Sequence, residues 1–175
     1  MATELLTQGM VTNGDMVFIL QETRLLLTRT GVTAKNFSGD GFTIENNLNA
    51  VKKVPYKVKL DRVTADYNRR QGLSIIGGTN IKITNSTFKH TEGTPSSAGI
   101  ALERDKPYTF TLENVVIRHN RIQNNAGYGL IFTFSHHSRA EYSIIRSNKE
   151  GGVFLTVPTA IHCMETKSSA TADIS

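Results

Sequence analysis

The sequence predicts an all-β solenoid whose short parallel strands stack rung on rung. Three observations predict it: a glycine-led phrase written five times, a second apolar phrase inside the same intervals, and no helical run between them. The first phrase is glycine, apolar, any residue, apolar, at Gly41-Phe42-Thr43-Ile44, Gly72-Leu73-Ser74-Ile75, Gly99-Ile100-Ala101-Leu102, Gly129-Leu130-Ile131-Phe132 and Gly152-Val153-Phe154-Leu155. Its glycines are 31, 27, 30 and 23 residues apart. The second phrase runs Leu60 to Asn68, Ile83 to Thr91 and Leu112 to Asn120, and returns degenerately from Ala140 to Asn148. Each repeat therefore carries two short alternating strands, and five to six coils fill the chain.

Alternation sets the faces. Two inward columns follow from the first phrase: Phe42, Leu73, Ile100, Leu130, Val153 and Ile44, Ile75, Leu102, Phe132, Leu155. Neither contains a polar residue. The second phrase adds Val63, Ala65, Phe88, Val115 and Ile117. Turn residues separate the strands, as in Gly77-Gly78-Thr79-Asn80 and Asn124-Asn125-Ala126-Gly127. The leading glycines are expected to relieve crowding at the corner or to supply positive φ. Asn68, Thr91, Asn120 and Asn148 are expected to form an inward ladder that pairs with turn backbone.

Residues 1–40 repeat poorly and are expected to hold an N-terminal cap, with a short helix over Thr3 to Met10, and a first coil containing Met16 to Leu20 and Leu25 to Leu27. Residues 41–163 form the β-helix, and the small, polar 164–175 should be a disordered tail. The last rung then needs a cover, either a partner chain such as that of a homotrimer or an adjoining part of a longer protein.

With 175 residues there is room for one domain. The net charge of +5 is dispersed along the repeats, which argues against a nucleic-acid interface and suits an anionic polymer. The single Cys163 excludes an intrachain disulfide. No apolar run reaches membrane-spanning length, and Met1-Ala2-Thr3-Glu4 does not open a secretory signal. No spacing matches a metal motif, so no cofactor is expected; His136 and His137 are adjacent on a loop, which parts their rings, and no motif supports a divalent cation.

The run Asn68 to Ile76, then Asn80 to Phe88, Gly93-Thr94-Pro95 and Ala98 to Glu103, resembles the right-handed parallel β-helix proteins of the pectate lyase-like superfamily, which includes phage tailspikes and bacterial polysaccharide-modifying enzymes. The resemblance spans residues 41 to 155. It implies a single-stranded right-handed parallel β-helix, a phage or bacterial origin, and a polysaccharide that is cleaved, epimerised or held along an outward face. A related branch often carries Gly-Ile-Asp-Ile-Glu-Pro; here Ala101 replaces the aspartate and Arg104 the proline, while Glu103 remains. An acid, base or cation-binding role of that aspartate is thus lost or relocated.

Two candidate sites emerge. Glu45 and Glu103 share an outward column two rungs apart with Ile76 between them, ~10 Å by strand spacing and close to the ~6.5–9.5 Å of an inverting glycosidase. Such a pair is more often simply two solvated strand glutamates. On the second phrase, Tyr67, His90 and His119 align on successive rungs beside Asp66, Lys89 and Arg118. Imidazole and phenol can move protons on a uronate while Lys89 or Arg118 neutralises its carboxylate; the same rings could simply stack. Glu103-Arg104-Asp105-Lys106 is a charged turn that places Arg104 beside a substrate or in solvent.

Overall fold

The computed structural model describes residues 11–12, 15–16, 18–21, 27–45, 56–103, 111–156, 161–164 and 167–169, with side chains from 28 onward up to 156. Six coils each give one strand to each of three six-stranded parallel sheets. The first sheet holds Phe18–Gln21, Phe42–Glu45, Leu73–Ile75, Ile100–Leu102, Tyr128–Phe132 and Gly151–Leu155. The second holds Leu27–Thr30, Val58–Asp61, Gly78–Thr84, Leu112–Arg118, Ser138–Glu141 and Ile161–Met164. Thr33–Lys35, Thr64–Asp66, Thr87–Lys89, Arg121–Gln123, Ile144–Arg146 and Lys167–Ser169 make the third.

The register places like over like. Phe42, Leu73, Ile100, Leu130 and Val153 pair in one column, and Ile44, Ile75, Leu102, Phe132 and Leu155 follow two residues on. Eight of these ten are buried; Val153 is half-buried and Leu155 exposed, because theirs is the last strand of the first sheet. Ala65, Phe88, Ile122 and Ile145 close the same core from the third sheet, and Leu60, Ile83, Ile117 and Ala140 from the second.

Each coil has three strands where two were expected, because only two residues separate the second sheet from the third. The first of the pair is left-handed in every coil described: Gly31 (φ 69), Arg62 (φ 52), Asn85 (φ 53), His119 (φ 56) and Tyr142 (φ 49). The second, Val63, Ser86, Asn120 and Ser143, turns inward and is buried. A second left-handed column, Asn36, Tyr67, His90, Asn124 and Ser147, begins the turn from the third sheet back to the first. The register also corrects the alignment of the second phrase. Ile83 pairs with Ile117, not Leu112, so the fourth coil's phrase runs from Ile117 to Asn125, five residues later than expected. His119 therefore leaves the Tyr67–His90 column, where Asn124 replaces it, and Arg118 leaves the Asp66–Lys89 column, where Gln123 stands.

Two inward ladders result. At one corner the Ser86 hydroxyl accepts from the Val63 amide, the Asn120 amide oxygen from Ser86 N–H, and the Ser143 hydroxyl from Asn120 N–H. At the other, Asn68, Asn125 and Asn148 accept from Phe37, Thr91 and Asn125 N–H and donate to the carbonyls of Ala34, Phe88 and Ile122. Asn120 thus belongs to the first of these ladders. Thr91 interrupts the second, and its buried hydroxyl has no partner among the described residues. The leading glycines serve this second ladder: a Cβ on Gly99 would stand 2.8 Å from Asn125 Nδ2 and 2.8 Å from the Gly129 carbonyl, and one on Gly129 2.7 Å from both Asn148 Nδ2 and the Gly152 carbonyl. Crowding, rather than positive φ, requires glycine there.

The coil stack reaches beyond the expected bounds. Phe18–Gln21, Leu27–Thr30 and Thr33–Lys35 form a full coil within 1–40, preceded by an antiparallel pair of Val11–Thr12 with Asp15–Met16. Lys167–Ser169 pairs with Ile144–Arg146, so the tail expected to be disordered carries a strand. The helix expected over Thr3 to Met10 lies outside the described residues.

Candidate functional site on the third sheet

Outward faces decide what a solenoid can bind, and the first sheet's is closed from its second strand to its fifth, with Phe154 on the last strand 39% exposed. Thr43, Ser74, Ala101 and Ile131, all outward by alternation, are 4%, 1%, 0% and 8% exposed. Ala98 and Tyr128 pack on Ala101 and Ile131. Beside them runs a polar network. Arg70 donates from Nε to Asp40 at 2.7 Å and pairs with it again through Nη2; Thr43 donates to Asp40 at 3.3 Å; Ser74 donates to Gln71, whose amide donates to Ser96 at 3.1 Å and to Glu103. Glu103 is half-buried and occupied by Gln71, and Glu45 is half-buried on its own strand. Asp40, Arg70 and Gln71 were not singled out in the sequence because their strand neighbours, not their spacing, bring them together.

The third sheet's outer face is open. Its columns read Thr33, Thr64, Thr87, Arg121, Ile144 and Lys35, Asp66, Lys89, Gln123, Arg146. Among the residues whose side chains are described, four cations, Lys35, Lys89, Arg121 and Arg146, stand there against one carboxylate, Asp66. Asp66 is 8% exposed and lies between Lys35 Nζ at 3.8 Å and Lys89 Nζ at 3.7 Å. Its other oxygen meets His90 Nδ1 at 2.8 Å. A carboxylate can only accept, so Nδ1 carries a proton, and in the neutral imidazole Nε2 is the acceptor, with Asn124 Nδ2 at 3.5 Å. Tyr67 packs against this imidazole with ring centroids 4.6 Å apart and is 56% exposed. Lys35 lies 5.7 Å from the same ring. Tyr67, His90, Asp66 and Lys89 are therefore together as expected; Lys35 and Asn124 join them. Lys35 was legible in Thr33-Ala34-Lys35, which repeats Thr64-Ala65-Asp66 one coil earlier.

His119 and Arg118 sit at the opposite margin of this sheet. His119 stacks on Tyr142 at 5.5 Å and 21°, and the Arg118 guanidinium lies 5.0 Å from the Tyr142 ring. A cavity of about 300 Å³ opens beside them. Beneath this margin Asp61 accepts from Thr84 Oγ1 at 2.7 Å and Asn85 Nδ2 at 2.8 Å. Those two bonds first, then the charges of Lys59 and Arg62, hold its carboxyl below the ordinary aspartate value against the opposing cost of burial. His136 is exposed, and His137 reaches Glu113 at 3.3 Å. Arg104 lies outside the described residues. Among the described residues no three His, Cys, Asp or Glu side chains gather as metal ligands.

No curated protein and no solved structure matches the chain. A family profile describing the right-handed β-helix region matches residues 41–171. With three parallel sheets wound coil on coil over the same span, the chain belongs to the right-handed β-helix family.

Proposed function

We propose that this protein processes acidic polysaccharide on the outer face of its third sheet, in the manner of the polysaccharide-modifying β-helices of the pectate lyase-like superfamily. One observation carries the reading: an imidazole oriented through Nδ1 by a nearly buried carboxylate, packed against an exposed phenol on a face rich in cations. Those are the parts that β-elimination of a uronate needs. Lys89 or Lys35 draws the sugar carboxylate to the face. His90 Nε2 takes the proton from C5, the electron pair forms the C4–C5 double bond, and the C4–O bond breaks. The departing oxygen takes its proton from the Tyr67 hydroxyl.

The test is incubation with acidic and neutral polysaccharides while reducing ends and unsaturated-uronate absorbance are followed. Both signals should rise on an acidic polymer and vanish in His90→Ala. New reducing ends without unsaturation would instead indicate hydrolysis and overturn the elimination. A second reading, non-catalytic glycan binding, is favoured by Ala101 in place of the acid that relatives carry there; it predicts retention on an acidic glycan column with neither signal.

A further inference from the structure

The cavity of about 300 Å³ between the second and third sheets is lined by Asn85, Thr87, His119, Arg121, Tyr142 and Ile144, with Ser86 and Asn120 at its base. We infer that it is a subsite for one anionic sugar unit, a pyranose bearing a carboxylate or a sulfate; this rests on the third face being the glycan-facing one.

Its walls divide by chemistry. Tyr142 and Ile144 are each 39% exposed, an apolar pair on which the C–H face of a pyranose can lie. Facing them, Arg121 and His119 are exposed donors on the preceding coil, and Thr87 and Asn85 follow one coil further down. Arg118, against the Tyr142 ring, adds a second guanidinium at the rim. Glu141, paired in register with Arg118, is engaged by Arg139 Nε at 3.4 Å.

The backbone supplies an independent argument. Every described coil turns this corner through a left-handed residue, a position that glycine or asparagine fills at least cost, as Gly31 and Asn85 do, although the second coil has Arg62 there. The fourth and fifth coils place His119 and Tyr142 there instead, accepting strain to project two stacked rings over the cavity. Strain of this kind, held by neighbouring ladders, belongs with binding sites. The His90 corner lies five positions further along the coil, at most about 16 Å away along the chain. That is at most the span of about three sugar units, so the cavity holds a unit other than the one at His90.

The experiment is backbone and side-chain NMR titration of the whole chain with a hexuronate trisaccharide, the same trisaccharide with its carboxyls reduced to alcohols, and a sulfated trisaccharide. A saturable shift of Tyr142 and Ile144 signals is expected with at least one of the anionic sugars and not with the reduced one. Arg121→Gln should weaken that binding about tenfold, and Tyr142→Ala about fivefold. Which anionic arm shifts the signals tells carboxylate from sulfate. Shifts confined to Tyr67 and His90, or equal shifts with the reduced sugar, overturn the subsite. Shifts at Tyr142 without retention or turnover of any acidic polymer would leave the subsite standing and sink the wider proposal. Absence of shifts at either place ends both. Should Tyr142→Ala fail to fold, Arg121→Gln at the exposed rim carries the test.

Discussion

The outer faces of the first and third sheets both rest on six parallel strands stacked in register, yet one is sealed over its middle coils and the other open. On the first, Ser74 and Ala101 are 1% and 0% exposed, and each polar group nearby is spent on another. On the third, Lys35 and Lys89 share the single carboxylate of Asp66, exposed Arg146 donates to Gln123 at 3.0 Å, Arg121 is exposed, and rings project from both margins. A face whose donors and acceptors are all matched has nothing left to offer a sugar, whereas an open charged face has. Outwardness in a β-helix is thus not the same as availability.

The sealed face is the easier to break. Ala101→Asp would bury a carboxylate against Ala98 and Ile131 and should cost about 3–5 kcal/mol. Urea unfolding would show it, with no new turnover. Gln71→Ala removes the centre that joins Ser74, Ser96 and Glu103 and should cost about 2 kcal/mol, visible in the same curve. Lys89→Ala on the open face should cost under about 1 kcal/mol, since Lys35 still faces Asp66. Its larger effect should be weaker retention on an acidic glycan column and a shallower salt dependence.

The smallest effect concerns pH. Because the Asp61 carboxyl is depressed in the fold, its contribution is complete above the ordinary aspartate value and is lost as pH falls through the lowered one. Acid unfolding of Asp61→Asn should lose that part of its slope, while stability at neutral pH falls by the missing contribution. An unchanged acid limb would contradict the assignment.

The first sheet was legible in the sequence because glycine, alternation and a single register all agree over five phrases. The second and third sheets were not separated, since a two-residue corner contains no glycine or proline to mark it except at Gly31. The five-residue slip has a physical cause. Asn114 and Asn85 both follow an apolar residue by two, and both are left-handed, at φ 53 each, but Asn114 lies within the strand Leu112–Arg118 and Asn85 at the corner after Gly78–Thr84. Asn114 belongs with Asn80, to which it donates at 2.6 Å, while His119 occupies the corner that asparagine would have marked. Alternation correctly turned Ser74 and Ala101 outward; their burial depends on residues near 96–98 and 128 brought over them by later coils, which no local pattern records.

The most direct measurement sets one substitution from each face side by side: turnover and retention of acidic polysaccharide by His90→Ala and by Glu103→Gln. The open-face account predicts loss in His90→Ala and wild-type behaviour in Glu103→Gln. Loss in Glu103→Gln with full function in His90→Ala would contradict it.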